Sequence, residues 1–264
     1  ACSKDKDKNI ENAMRTLDMA IAKEARIICF QELFNTFWFP KNADDTAFAM
    51  AEEIDGPTVN AMKEKAKAAE VVILVPMFER EGSQYFNSCV VIGEDGEMRG
   101  VYRKVHVPGI PLWEEKFYFS QGDKGFPVFE TRHGKIGIQM SWDNLYPEVS
   151  RTLALEGADI IFAPTACAFK SQHIWQTVIS GNAIVNGVFI MRVNRVGSEE
   201  VQDFYGRSFC VNPEGELIGG PTGQGDSILL ADIDLEYLQH VRREWPLLKE
   251  RKPALYEAIC TDRQ

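Results

Sequence analysis

Three polar residues stand where apolar runs of the sequence end, and together their types could perform acyl transfer. Glu32 closes "RIICFQE", Lys104 lies in "VYRKVHV", and Ser141 closes "KIGIQMS" just before "WDNLYPE". A carboxylate can take and return a proton, an ammonium can hold a developing oxyanion, and a sharp strand-to-helix turn presents its side chain as a nucleophile. Open α/β sheets bind ligands beyond the carboxyl ends of their strands, so Glu32 and Ser141 can share a pocket although they are far apart in the chain. Singly, each residue has an ordinary reading: a loop acid, an exposed edge lysine and a helix N-cap serine. A serine nucleophile also needs a base. None of the four histidines (His106, His133, His173, His240) lies in a matching motif, and none forms HxH or HExxH. Neither a histidine-activated serine nor a metal site is expected, and no cofactor is implied.

The elements that must position these residues follow from periodicity. Ile10, Met14, Leu17 and Ile21 form the stripe of an amphipathic helix, and Gly56-Pro57-Thr58 opens a second helix running to about Glu70. "RIICF", "VVILVPMF" and "ADIIFAPTA" read as buried strands, and "YFNSCVVIG" with "RGVYRKVHV" as a hairpin. "GFPVFETRHGKIGIQM" supplies two strands around His133-Gly134. Pro147 starts a helix that Gly157 stops. His173 to Asn186 reads as helix, "GVFIMRVNRVG" as strand, "GRSFCVNPEGELIG" as a hairpin, "DSILLADID" as a late strand and Glu236 to Leu248 as the last helix. Strands that are apolar throughout are buried on both faces. The expected fold class is therefore α/β, a four-layer α-β-β-α sandwich of two mixed sheets, as a single domain over residues 1–264. Such a domain usually begins with a strand, whereas this sequence opens into a helix, so a few upstream residues are expected.

Composition narrows the function. The 264 residues carry 29 basic and 39 acidic side chains, a formal net charge of −10, which argues against a nucleic-acid binder. No run of 18 apolar residues exists, so no membrane span is expected. Six scattered cysteines without a CxxC pair suit reduced thiols in a chain large enough to be stabilised by packing, which points to a cytoplasmic location.

Several stretches, in order and with their flanks, resemble the nitrilase superfamily of carbon–nitrogen hydrolases. These are "FQELF" with Glu32, "YRKVHVPGIPLWEEKFYFSQGD" with Lys104 and Glu115, "GIQMSWDNLYPEVSR" around position 141, "RVNRVG", "FYGRSF" and "RREWPLLKERKPALY". The nearest likeness is to the amidase branch that includes N-carbamoylputrescine amidase and β-ureidopropionase, through "EEKFYFSQGD" and the "WD" after position 141. The resemblance implies that Glu32 is general base and acid, that Lys104 stabilises the tetrahedral intermediate, and that Glu115 supports them, with Glu114 as its rival. The family nucleophile is a cysteine, and here that position holds Ser141. A carboxylate alone activates a hydroxyl poorly, so little turnover is expected of this chain. An engineered Cys→Ser change is favoured over natural loss of catalysis, because Glu32, Lys104 and Glu115 all remain. Cys167 is a remote alternative nucleophile.

In the cysteine form, the Trp142 backbone N–H would join Lys104 at the oxyanion. Candidate substrate contacts are Phe37, Trp38, Trp113, Cys167, Lys170 and His173, several of which also suit core or solvated-loop roles. The implied substrate is a small amide, an N-carbamoyl compound or a nitrile. A non-catalytic small-molecule binder is the rival from another class. The tail from about residue 245 is too polar to form its own core, and the resemblance implies that it meets a second subunit in a homodimer or larger assembly.

Overall fold

The computed structural model describes residues 1–168 and 172–261. Two sheets face each other. The first consists of β1 (Ile27–Cys29), β2 (Val72–Glu81), β3 (Gln84–Ile92) and β4 (Met98–Arg103), adjacent in that order. β1 runs parallel to β2 and the other pairs are antiparallel. In the second, β5 (Val128–Thr131), β6 (Gly134–Ile138), β7 (Ile160–Thr165) and β8 (Phe189–Asn194) lie side by side, with β6, β7 and β8 parallel. After a separate hairpin of β9 (Val196–Glu199) and β10 (Gln202–Tyr205), β11 (Phe209–Val211) and β12 (Leu217–Gly219) extend that sheet beyond β8.

Strand alternation builds the layers. Along β2, Ile73, Val75 and Met77 turn to one face, where they pack on α1 (Lys6–Ile21) and α2 (Pro57–Ala69) through Leu17, Val59, Met62 and Ala66. Val72 and Leu74 turn the other way and meet Ile136, Ile138, Ile160 and Phe162 of the second sheet. On the far side, Ile161, Ala163 and Ile190 pack on α4 (Pro147–Leu155) and α5 (Gln172–Asn186) through Val149, Leu153, Ile179 and Ala183. This is the α-β-β-α sandwich expected from the sequence. A short α3 (Glu115–Tyr118) lies in the long connection after β4.

Three elements differ from expectation. "DSILLADID" is not a strand among the described residues; it borders a groove of about 830 Å³ that α1 and β1 also line. The last helix, α6 (Leu235–Glu244), stops short of Leu248, because Pro246 disfavours helical backbone at Trp245, which has φ −117° and ψ 78°. The run "GVFIMRVNRVG" is two strands rather than one, β8 and β9, parting at Arg195. Beyond α6 the chain makes two 3-10 turns, at Pro253–Leu255 and Glu257–Cys260, and leaves Trp245, Leu255 and Ile259 more than half exposed.

Candidate active site

Lys104 lies one residue past β4. Its N–H donates to the Asn87 carbonyl (2.8 Å) and its carbonyl accepts from Gly122 (2.9 Å), so the backbone is held on both sides. The side chain is wholly buried, unlike that of an ordinary edge lysine, and its Nζ donates to Glu32 Oε1 (2.8 Å) and to Glu115 Oε2 (2.7 Å). Asn87 Nδ2 also donates to Glu32 Oε1, at 2.8 Å. The second oxygen of each carboxylate, Glu32 Oε2 and Glu115 Oε1, is buried with no hydrogen-bond partner. Of the two adjacent acids Glu114 and Glu115, it is Glu115 that α3 turns inward to Lys104. Glu114 is only half buried.

Glu32 follows β1 in a tight bend where Leu33 has φ 51°, a left-handed conformation rare for a non-glycine residue. Arg195 braces that bend: its Nη2 donates to the carbonyls of Glu32 (3.3 Å), Leu33 (2.7 Å) and Thr36 (3.0 Å). Its Nη1 is paired with Glu199, which also accepts from the Trp38 backbone N–H (2.6 Å). The strand break at Arg195 thus has a cause. A guanidinium wholly buried beneath Glu32 needs a fixed acid, and β9 supplies it.

Position 141 lies at the far end of β6, where Ser141 has φ 45° and opens a 3-10 helix over Ser141–Leu145. Asn144 Nδ2 ties down the Ser141 carbonyl at 2.8 Å, and Gln139 Nε2 donates to Asn144 Oδ1 at 2.7 Å. Asp143 links this turn to the lysine. It accepts from the Tyr102 hydroxyl (2.6 Å), the Met140 N–H (2.9 Å) and the His106 N–H (3.0 Å), so residues on both sides of Lys104 are bonded two residues from Ser141. Among the described residues the Ser141 hydroxyl has no hydrogen-bond partner, and no histidine serves it. His106 Nδ1 lies 2.8 Å from Asp143 Oδ1, and its ring is stacked on Tyr146 at 3.6 Å. The Trp142 N–H, in the first turn of the 3-10 helix, is an amide that the helix leaves free.

Burial would depress the Lys104 ammonium, but the charges of Glu115 and Glu32 outweigh it and hold the pKa above the ordinary lysine value. Burial pushes the Glu115 carboxyl up to about 7. Lys104 opposes that rise and the Glu32 charge adds to it. An unfolded glutamate titrates near ~4.3, so the folded chain binds an extra proton between that pH and about 7, and this group's contribution to stability falls as pH rises through the window. The stability of the chain relative to Glu115→Gln, measured by urea denaturation, is expected to fall as pH rises from about 4.5 to 7. A relative stability that rises over that range contradicts a buried, proton-holding acid.

The expected substrate contacts scatter. Trp113 is half buried, and its indole N–H donates to the Ala166 carbonyl (3.2 Å), which ties the Glu115 segment to the end of β7. Trp38 is 1% exposed and belongs to an aromatic cluster, so it backs the wall rather than offering a surface. Phe37 has the ammonium groups of Lys4 (5.7 Å) and Lys41 (5.9 Å) over its ring. Lys170 lies outside the described residues. His173 is exposed, at the start of α5. Cys167 is buried, and burial pushes its thiol up to about 12, with Arg192 and Lys104 opposing that rise and Glu32 adding to it. A thiol so protonated is a poor nucleophile. Iodoacetamide at neutral pH is expected to label exposed Cys260 and spare Cys167, with peptide mapping as the readout. Fast labelling of Cys167 would revive it as a nucleophile.

The sequence reading assigned no role to Asn87, Asp143 or Arg195. Their one signal is a polar residue in an otherwise apolar or motif-bearing stretch: "YFNSCVVIG", "SWD" and "RVNRVG".

Two facing mixed sheets between paired helices, with polar residues gathered where strands end, is the architecture of a carbon–nitrogen hydrolase. The chain belongs to that family: the family model "Carbon-nitrogen hydrolase" matches residues 2–243. It is 36% identical to the N-carbamoylputrescine amidase of Arabidopsis thaliana over 277 aligned positions, covering 99% of this chain and 93% of the relative. It is 35% identical to the citrullinase of Francisella tularensis, covering 95% and 92% of the two chains. The crystal structure of a carbon–nitrogen hydrolase from Helicobacter pylori G27 superposes with a TM-score of 0.95 at 34% identity, covering 100% of this chain and 97% of the other.

Proposed function

We propose that this chain is an amidase or N-carbamoyl-amine hydrolase whose nucleophile position carries serine in place of cysteine. The observation that carries the reading is the buried Glu32–Lys104–Glu115 group, tied through Asp143 to the turn at Ser141. In the cysteine form, the position-141 sulfur attacks the carbonyl carbon of the substrate while Glu32 takes the thiol proton. The C=O pair moves onto oxygen, where Lys104 and the Trp142 N–H hold it. Collapse breaks the C–N bond, and Glu32 returns the proton to the leaving nitrogen. Water, deprotonated by Glu32, then cleaves the thioester. Glu115 holds Lys104 from the other side and keeps the site short of positive charge. A nitrile would pass through a thioimidate on the same residues.

The relatives' names support a carbamoyl substrate: N-carbamoylputrescine and citrulline both end in a carbamoylated amine. A second reading, a non-catalytic binder, is favoured by Ser141 itself. The two are separated by assaying Ser141→Cys for ammonia release across amides, N-carbamoyl compounds and nitriles. Release supports the hydrolase, and silence across the panel supports the binder. Exposed Trp245, Leu255 and Ile259 on the tail support a homodimer or larger homo-oligomer. The six free cysteines support a reducing, cytoplasmic setting.

A further inference from the structure

Among the described residues three arginines are wholly buried: Arg103, Arg192 and Arg195. Arg103 is paired with Glu79, Glu81 and Asp123, and Arg195 with Glu199. Arg192, on β8, is 1% exposed and has no carboxylate partner among the described residues. Its Nη2 donates to the Tyr205 hydroxyl at 2.9 Å, while its Nε–H is buried with no acceptor. The ring faces of Trp175 (4.9 Å), Tyr205 (5.3 Å) and Phe209 (5.9 Å) surround the guanidinium. Such faces offset part of the cost of burying a cation, but they do not neutralise it.

The guanidinium forms the inner wall of a cavity of about 470 Å³, whose mouth carries His173, Thr177 and Arg207. Arg207 is held at φ 53°, a left-handed conformation uncommon for a non-glycine residue, directly after Gly206 at φ 64°. No Asp or Glu is among the described residues lining this cavity. The sequence has none between Asp159 and Glu199, although the chain carries 39 acids. Strand β7, helix α5 and strand β8 thus carry no negative charge. Helix α5 joins the cavity to the turn at position 141: Ser180 lines the cavity, and Asn182 Nδ2 donates to the Asn144 carbonyl at 3.0 Å. Cys167 packs in one cluster with Trp175, Tyr205 and Phe209.

We infer that the substrate carries an anionic group, a carboxylate, which Arg192 binds at the end remote from the scissile carbonyl. The inference rests on the hydrolase reading above and narrows it. Arg192 acts as a specificity residue, pairing through its open donors, with Arg207 drawing the anion to the mouth. The substrates favoured are N-carbamoyl ω-amino acids or ω-amides of dicarboxylic acids. An N-carbamoyl diamine would bring its free ammonium against two arginines with no acid to receive it.

The test uses the chain with Ser141 in place, so that ligand is held rather than consumed. Calorimetry would compare N-carbamoyl ω-amino acids of increasing chain length with N-carbamoylputrescine, on the chain itself, on Arg192→Met and on Arg207→Met. The anions are expected to bind at least ~10-fold more tightly than the cation, the worth of a charged hydrogen bond. Arg192→Met should abolish that preference and Arg192→Lys restore part of it. Arg207 is exposed and safe to replace, and its loss should weaken anion binding more at low salt than at high salt. Equal or tighter binding of the cation, or anion affinity unchanged in Arg192→Met, overturns the inference. If Arg192→Met fails to fold, affinity unchanged and independent of salt in Arg207→Met overturns it instead. A parallel ammonia assay on Ser141→Cys separates the two levels. Release from the cation in preference to the anions sinks the anion inference alone, whereas silence toward every compound sinks the hydrolase reading beneath it.

Discussion

Lys104→Met, made in the Ser141→Cys background, is expected to lower turnover by about 10³-fold and to destabilise the fold by roughly 3–5 kcal/mol. Both effects come from one position. Among the described residues the ammonium is the sole cation bonded to Glu32 and Glu115, and both carboxylates are buried. Without it, two acids face each other in a dry pocket, and neither can ionise without cost. For a chain of this length the loss corresponds to a fall in Tm of roughly 10 °C. The pH dependence gives a second signature. Loss of the ammonium removes what opposes the rise at Glu115, so that carboxyl should hold its proton further above the usual carboxylate range and the folded state binds more protons than the unfolded one. The variant should therefore recover stability as pH falls from about 7 toward 5. A variant that keeps its turnover would show that Lys104 is a structural counterion and nothing more.

Ser141→Cys carries the other large effect, a rise in turnover of at least about 10³-fold, equivalent to roughly 4 kcal/mol of barrier. A thiol near ~8.5 loses its proton readily beside an ammonium. An alcohol needs a strong base in hydrogen-bond contact, and Ser141 has none among the described residues. His106 is committed to Asp143 and Tyr146. Glu32 shares Oε1 between Lys104 and Asn87, which leaves only Oε2 to act as base. The substitution adds little bulk at a residue already in its left-handed conformation, so stability should change by less than ~1 kcal/mol. Measurable turnover by the serine chain, within tenfold of the cysteine variant, would mean that the carboxylate activates a hydroxyl after all.

The layers were legible because residues 72–78 of β2 and 160–164 of β7 are all apolar, as strands covered on both faces must be, and because Pro57, Pro147 and Gly157 punctuate the helices. "DSILLADID" shows the limit of pattern. Its composition suits a strand, but a ladder depends on a neighbour that composition does not reveal. Of the adjacent acids, Glu115 directly precedes the "KFYF" that sets the register and so is the one favoured over Glu114, and α3 turns it to Lys104. Arg195 stayed hidden for a different reason. It acts on Glu32 and Leu33 from 163 and 162 residues away, through contacts that no local window contains. Arg192 was similarly plain in sequence, one polar position in a strand. Only the absence of an acid beside it, next to two buried arginines that have theirs, gives it meaning.

Intact-mass spectrometry of Ser141→Cys, quenched in acid during turnover of an amide or N-carbamoyl compound, tests the central claim most directly. The account predicts a gain equal to the acyl or carbamoyl fragment, mapped by peptide analysis to position 141 and absent in the Ser141 chain. The same mass found on Cys167, or rapid turnover with no adduct under any quench, would contradict it.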